Sequence, residues 1–483
     1  MHINIAKGEI FFRNMRNESL ILETKNSDLQ NYSTKTKCSL QYPAAITACL
    51  IRLGFGTANY WTSPAVPHLI SSNSSFTITP DEASWIVSLI SFGSIIGFIL
   101  YPIFINQIGR KYTMLLFTIP QVFSWLTIYY ASNIYHLYVA RILSGIGYAA
   151  GYIVEIIYIG EIAEKNIRGI LIVIGKIAYI LGSLIVVILG AFVSYDNMNL
   201  ILLLISLLFF LTFTFMPESP YFCVNINRDD DAVKNLIKLR GRRDIKKIQL
   251  EIKNMKQGLR NNILKRNSMI KLFTIESNRK ALLIATLGTL GFILSGYTVI
   301  AAYTQTIVSY IDCPLKSEEI TVLIMMVVLI SCIIFAPLTD LIGRRILILL
   351  FSIITGFSSI TIGGFFFYKY HQNGNISSIY WITLIIFLIY IIASSAGLFP
   401  LSHILLAEIF SIEVKSTAIA LINILWAVVE FFLKLSFERL IEIIGIYSVF
   451  WIYGILTIIV NFSNFIIMPE TKGKTLEEIQ ELF

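Results

Sequence analysis

The chain has 483 residues, a mean hydropathy of +0.73, 56% hydrophobic residues and only 14% charged ones. A soluble domain carries about 25% charged residues, so a single soluble core is excluded and a bilayer is the solvent that suits this composition. The net charge of +8 lies in short segments between apolar runs, which is the pattern of membrane loops and not of a nucleic-acid-binding surface.

Residues 1–42 are polar and mixed in charge and lack a signal-peptide pattern, so the first span is expected to act as the targeting signal. Apolar runs of spanning length then follow at 44–61, 84–105, 113–131, 135–157, 169–194 and 198–216, filling a first unit, 43–217. A basic segment at 218–280 has hydrophobic residues among its charges and reads as short amphipathic helices on a membrane surface. Six more runs, at 281–309, 320–338, 346–368, 379–406, 417–437 and 446–468, fill a second unit, 281–468, and a polar tail covers 469–483. The expected fold is an all-α polytopic membrane protein, with 12 transmembrane helices in two six-helix bundles.

Arg110, Lys111, Arg168, the 218–280 segment, Arg344, Arg345 and Lys415 fall on one side of this topology. The positive-inside rule places that side and both termini in the cytoplasm. Asn73 and Asn375 then lie outside, in sequons, as glycosylation candidates.

The two halves repeat a set of charges in the same order. Asn106-Gln-Ile-Gly-Arg-Lys111 corresponds to Asp340-Leu-Ile-Gly-Arg-Arg345. Glu161 with Arg168 corresponds to Glu408 with Lys415, and Pro217-Glu218 to Pro469-Glu470; the offsets are 234, 247 and 252 residues. Three ordered matches point to duplication, and parallel six-helix halves describe the major facilitator architecture. Gly109 and Gly343 give tight turns. Arg110, Lys111, Arg168, Arg344, Arg345 and Lys415 are expected to pair with Glu161, Glu218, Glu408 and Glu470 across the two bundles, with Asp340 belonging to the same set. Such a cytoplasmic latch would hold the inner end closed and open in each transport cycle.

These motifs resemble the sugar porter branch of the major facilitator superfamily. Trp61-Thr-Ser-Pro-Ala-Val-Pro67, Ser84-Trp85, Tyr158-Ile-Gly-Glu161, Arg168-Gly169 and Pro217-Glu-Ser-Pro-Tyr221 are similar to the insect trehalose-transporter-like group. Pro469-Glu-Thr-Lys-Gly-Lys-Thr-Leu-Glu-Glu478 is similar to the sugar-porter tail. The resemblance implies facilitated diffusion of trehalose or a hexose across the plasma membrane by alternating access. The family's sugar-facing helix 7 positions align with Phe292, Ile293 and Thr298, its helix 5 glutamine with Lys176, and its helix 8 asparagine with Val328. Its helix 10 motif reads Phe399-Pro-Leu-Ser-His403, and the acid of its first loop is Asn106. The sugar-facing polar set is therefore depleted.

A sugar needs amides and hydroxyls for its OH groups and aromatic faces for its C–H side. The substrate-binding candidates are Tyr60, Trp61, Lys176, Thr298, Tyr303, Gln305, His403 and Trp426. His403 follows Pro400, and broken helices line cavities in transporters. Three intramembrane charges stand out: Arg52, Glu155 and Lys176. Glu155 and Lys176 lie about 9 and 12 Å in from the Glu161 and Arg168 end, and Glu155 is expected to pair with Lys176 or with Arg52. Proton-coupled relatives carry an Asp on helix 1. No acid lies in Leu53–Tyr60 here, which points to a uniporter. Glu430 and Lys434 are one turn apart and read as a pair.

The five cysteines show no metal or disulfide spacing. No Walker loop and no nucleophile–base set appears, so neither a cofactor nor an enzyme is expected. The expected partners are the bilayer and a small solute, with no nucleic acid, and the carrier is expected to act as a monomer. Two other readings fit the same scaffold: a carrier of an anionic solute, suggested by Arg52 and Lys176, and a non-transporting sugar sensor.

Overall fold

The computed structural model describes residues 39–470 except 73, 75, 165, 242–244, 264–267, 312, 336–341, 372–379 and 412–413. The sequons at Asn73 and Asn375, Asp340, and the end of the tail signature lie outside the described residues. The first half consists of α1 (Gln41–Tyr60), its short continuation α2 (Thr62–Ile70), α3 (Pro80–Gln107), α4 (Arg110–Tyr129), α5 (Ile134–Ile162), α6 (Arg168–Phe192) and α7 (Tyr195–Thr214). Four short helices follow on the basic face: α8 (Pro220–Asn225), α9 (Asp229–Arg240), α10 (Ile245–Ile263) and α11 (Ser268–Thr274). The second half runs through α12 (Glu276–Ile293), α13 (Tyr297–Ala302), α14 (Thr304–Ser309), α15 (Ser317–Phe335), α16 (Arg344–His371) and α17 (Tyr380–Ile392). A π-helical turn (Ala393–Leu398) leads into α18 (Phe399–Glu408), followed by α19 (Lys415–Ile444) and α20 (Ile446–Ile467). No strand occurs among the described residues.

Among the described residues, ten helices are long and apolar enough to cross a membrane on their own account. The two remaining expected spans are α1 and α4, of 20 residues each. Their lower hydropathy comes from Arg52, Thr57, Thr113, Thr118 and Gln121, all of which are buried within the protein. Lipid therefore meets none of these groups. Helix starts follow local chemistry. Thr79 and Glu82 form a reciprocal capping box at α3, with Pro80 in its first turn, and the Asn133 side chain accepts the His136 amide at α5.

Small residues set the closest helix crossings. A Cβ on Gly93 of α3 would lie 2.2 Å from the Ile142 carbonyl of α5, and one on Gly145 would lie 2.1 Å from the Ile90 carbonyl. Gly56 and Gly182 bring α1 and α6 together, with distances of 2.0 and 1.9 Å to the opposing carbonyls. Gly356 and Gly454 do the same for α16 and α20. The halves meet along two seams, α3 against α19 and α6 against α15.

The run expected as one helix over 281–309 is interrupted. Gly296 adopts φ 77°, and the ring of Tyr453 fills the space where a Cβ would stand. A second break falls at Tyr303.

Candidate functional site

The repeated loops fold into twin sites on the basic face. In the first half Gly109 takes φ 91°, so the loop turns sharply into α4. The Glu218 carboxylate accepts the backbone amides of Arg110 and Lys111, each at 3.1 Å. Arg110 Nη2 meets Glu161 Oε1 at 2.7 Å, and Ser219 Oγ donates to the other Glu161 oxygen. In the second half Gly343 takes φ 104°. Glu470 accepts the amides of Arg344 and Arg345 at 3.0 and 3.1 Å, and Arg344 Nη2 meets Glu408 Oε1 at 3.0 Å. A carboxylate suits these helix starts because unpaired N–H groups and the helix dipole both face it. Burial pushes the Glu218 carboxyl above its ordinary pKa, while the amide bonds and Arg110 pull it down.

These ion pairs were expected to bridge the two bundles. The structure corrects that: Arg110 joins α4 to α5, and Arg344 joins α16 to α18, each within its own half. The reason is geometric, since each acid sits beside the loop of its own repeat. Arg168 Nη2 reaches the Ala163 carbonyl at 3.5 Å, also locally. Lys415 begins α19 on the same face.

At the far end, the halves touch directly. The hydroxyls of Tyr60 and Tyr297 are 2.6 Å apart. Thr62 Oγ1 donates to the Ala302 carbonyl at 3.2 Å, and the Gln305 amide donates to Ser63 Oγ at 3.2 Å. The Gln305 side chain holds Glu318 at 3.1 Å. Trp61 is fully buried and donates to Asn199 Oδ1 at 2.8 Å, and Tyr303 packs on Phe437 with ring centroids 4.8 Å apart. Both are walled into the packing.

Between these ends lies a central layer. Tyr179 of α6 stacks on Phe399 of α18 across the seam at 6.4 Å. Phe399 also meets Phe292 at 5.2 Å and His403 at 4.6 Å, and Trp426 lies 5.2 Å from His403. A carbonyl can only accept, so His403 Nδ1–H donates to the Phe399 carbonyl at 3.0 Å, which leaves Nε2 as the acceptor of the neutral ring. Thr298 Oγ1 is buried with no partner among the described residues. Arg52 Nε meets Glu155 Oε2 at 3.0 Å, which decides between the two partners expected for Glu155. Lys434 Nζ meets Glu430 Oε1 at 3.0 Å and reaches Ser91 of α3, across the other seam, at 3.4 Å.

Two polar residues in this region escaped the sequence reading. Arg141 is fully buried in α5 and donates to the carbonyls of Ile86 and Ala58 at 3.0 and 2.8 Å. Its signal was available, as a charge inside an apolar run. Tyr297 carried no comparable signal, because only the fold brings it to Tyr60. A groove of about 330 Å³ between α16 and α17, lined by Thr361, Phe365 and Ile386 among others, is apolar and faces outward. It suits an acyl chain better than a polar solute.

Two similar helical bundles that meet along two seams have the build of a membrane carrier. The chain belongs to the family described as "Sugar (and other) transporter", which it matches over residues 41–483. It is therefore a multi-pass membrane transporter and not an enzyme. It is 29% identical over 467 residues to the facilitated trehalose transporter Tret1 of Polypedilum vanderplanki, covering 95% of this chain and 92% of that protein. Against Tret1 of Drosophila mojavensis the identity is 27% over 442 residues, and the chain spans about half of that longer protein, 51%. Among solved structures it resembles the inward open conformation of the xylose transporter XylE from E. coli, with TM-score 0.76, 20% identity and coverage of 92% and 100%. A crystal structure of a D-xylose-proton symporter gives TM-score 0.70 at 19% identity, covering 90% of this chain and 100% of that one. Both likenesses speak to the fold.

Proposed function

We propose that the protein carries a small sugar, of the trehalose or hexose class, across a plasma membrane by facilitated diffusion. The basic face lies in the cytoplasm, and one chain is the working unit. The observation that carries this reading is the division of contacts: the twin ion pairs hold each half together internally, while hydroxyl and backbone contacts such as Tyr60–Tyr297 join the halves at the far end. Two rigid bundles joined by weak contacts at one end are built to rock about a central site. Thr298, His403 and Trp426 supply hydroxyl, imidazole and aromatic surface there.

Uniport is supported by the state of the buried charges. Arg141 meets carbonyls and no carboxylate among the described residues. Glu155 is held by Arg52 at 3.0 Å and is not poised as a free proton acceptor.

Uptake of labelled trehalose and glucose by oocytes expressing the full chain tests the reading. Saturable, concentration-driven uptake that a protonophore leaves unchanged is expected. Protein present at the surface with no uptake of either sugar overturns it in favour of a sensor.

A further inference from the structure

The interior of the two bundles is unbalanced in charge. Among the described residues, four basic side chains lie at membrane depth: Arg52, Arg141, Lys176 and Lys434. Glu155 answers Arg52 and Glu430 answers Lys434, each at 3.0 Å. Arg141 is sealed inside the first half by two backbone carbonyls, with its guanidinium carbon 5.3 Å from the centroid of the Trp61 ring. Lys176 is different, because it has no hydrogen-bond or ion-pair partner among the described residues, and it is only half-buried.

Its position is on the seam. Lys176 lies one turn before Tyr179 on α6, the helix that faces α15 of the second half. Cys332 of α15, Arg52 and His403 are its electrostatic neighbours. Directly beside it, Gly175 leaves room for the Arg52–Glu155 pair, a carboxylate already committed to Arg52. The aromatic layer of Tyr179 and Phe399 lies one turn further toward the closed end.

A lone ammonium at this depth is costly unless it finds a counter-charge or water. Lysine presents a compact charge with three donors, which suits one carboxylate group. One uncommitted cation fits a monoanion better than a phosphate dianion. The Thr298 hydroxyl and the His403 Nε2 remain for sugar hydroxyls, and Phe399 and Trp426 for the ring's C–H face.

We propose that the solute is a carboxylated monosaccharide of the hexuronate class, whose carboxylate is held by Lys176. This rests on the carrier reading and names the substrate class of the same site.

The test is uptake of labelled glucuronate and glucose by voltage-clamped oocytes expressing the full chain. Glucuronate uptake at least tenfold above that of glucose is expected, with an outward current as the anion enters. Lys176→Gln should lower glucuronate uptake tenfold or more and abolish the current, while Lys176→Arg should keep the current. Glucose uptake without glucuronate uptake or current would overturn the inference and leave the carrier standing. Uptake of neither sugar by surface-expressed protein removes both. If Lys176→Gln does not reach the surface, competition in the wild-type chain decides: excess glucuronate must suppress labelled glucose uptake, and its failure to do so overturns the proposal.

Discussion

Arg52 and Glu155, 8% and 1% exposed at their side chains, form an ion pair at 3.0 Å inside the first bundle. Removing one member leaves the other charge buried and uncompensated, which costs about 3–5 kcal/mol. Glu155→Gln is therefore expected to cut surface expression and lower the melting temperature in detergent. The double change Arg52→Met with Glu155→Gln should recover most of that loss. A double variant as unstable as the single one would show that the pair is not the source of the stability.

Gly109 and Gly343 hold backbone conformations that side chains resist, with Glu218 and Glu470 in the space a Cβ would enter, at 2.5 and 2.9 Å. Alanine at either position should cost about 1–3 kcal/mol. The two variants are predicted to slow uptake to a similar degree at matched surface density. A large effect at one position with none at the other would contradict the twin arrangement.

The Tyr60–Tyr297 contact joins the halves at the end away from the basic face. Tyr297→Phe removes one hydroxyl and should weaken that closure by about 0.5–1.5 kcal/mol, roughly a 2- to 12-fold population shift. A cysteine introduced at Thr62, which is fully buried here, should then react faster with an impermeant maleimide added outside. An unchanged rate would show that this bond does not govern opening.

Arg240 ties the surface helices to the first bundle. It bonds the Ile162 carbonyl at 2.6 Å, Glu251 at 2.7 Å and the Gln41 side chain at 3.3 Å, with its side chain 3% exposed. Arg240→Ala should loosen α9 and α10, seen as faster amide exchange over 245–258 with the spanning helices unchanged. Unchanged protection there would place the anchor elsewhere.

Much of this organisation was readable in the residues. The hydropathy runs marked the spans, and the ordered motifs carrying Arg110, Glu161, Arg344 and Glu408 marked the duplication. The pairing of Arg52 with Glu155 was one of two options that depth alone left open. What stayed hidden depends on the third dimension. Sequence order shows that Arg110 has acids to choose from, but only packing shows that its partner lies in its own half. Likewise Trp61 and Tyr303 look like sugar-stacking rings in a linear reading, whereas their burial in packing depends on Asn199 and Phe437, distant in the chain. The break at Gly296 was hidden because its cause is the Tyr453 ring, which arrives from α20.

The crossing of α1 and α6 at Gly56 and Gly182 has a mechanical corollary. A Cβ on either glycine would lie about 2 Å from the other helix's backbone, so these two helices are in direct backbone contact and travel as one lever arm. One end of that arm carries the Tyr60 hydroxyl, and its middle carries Lys176. A single stroke that frees the tyrosine must also swing the ammonium, so release of that end and movement of Lys176 share one coordinate. Bulk added at either glycine would jam both together.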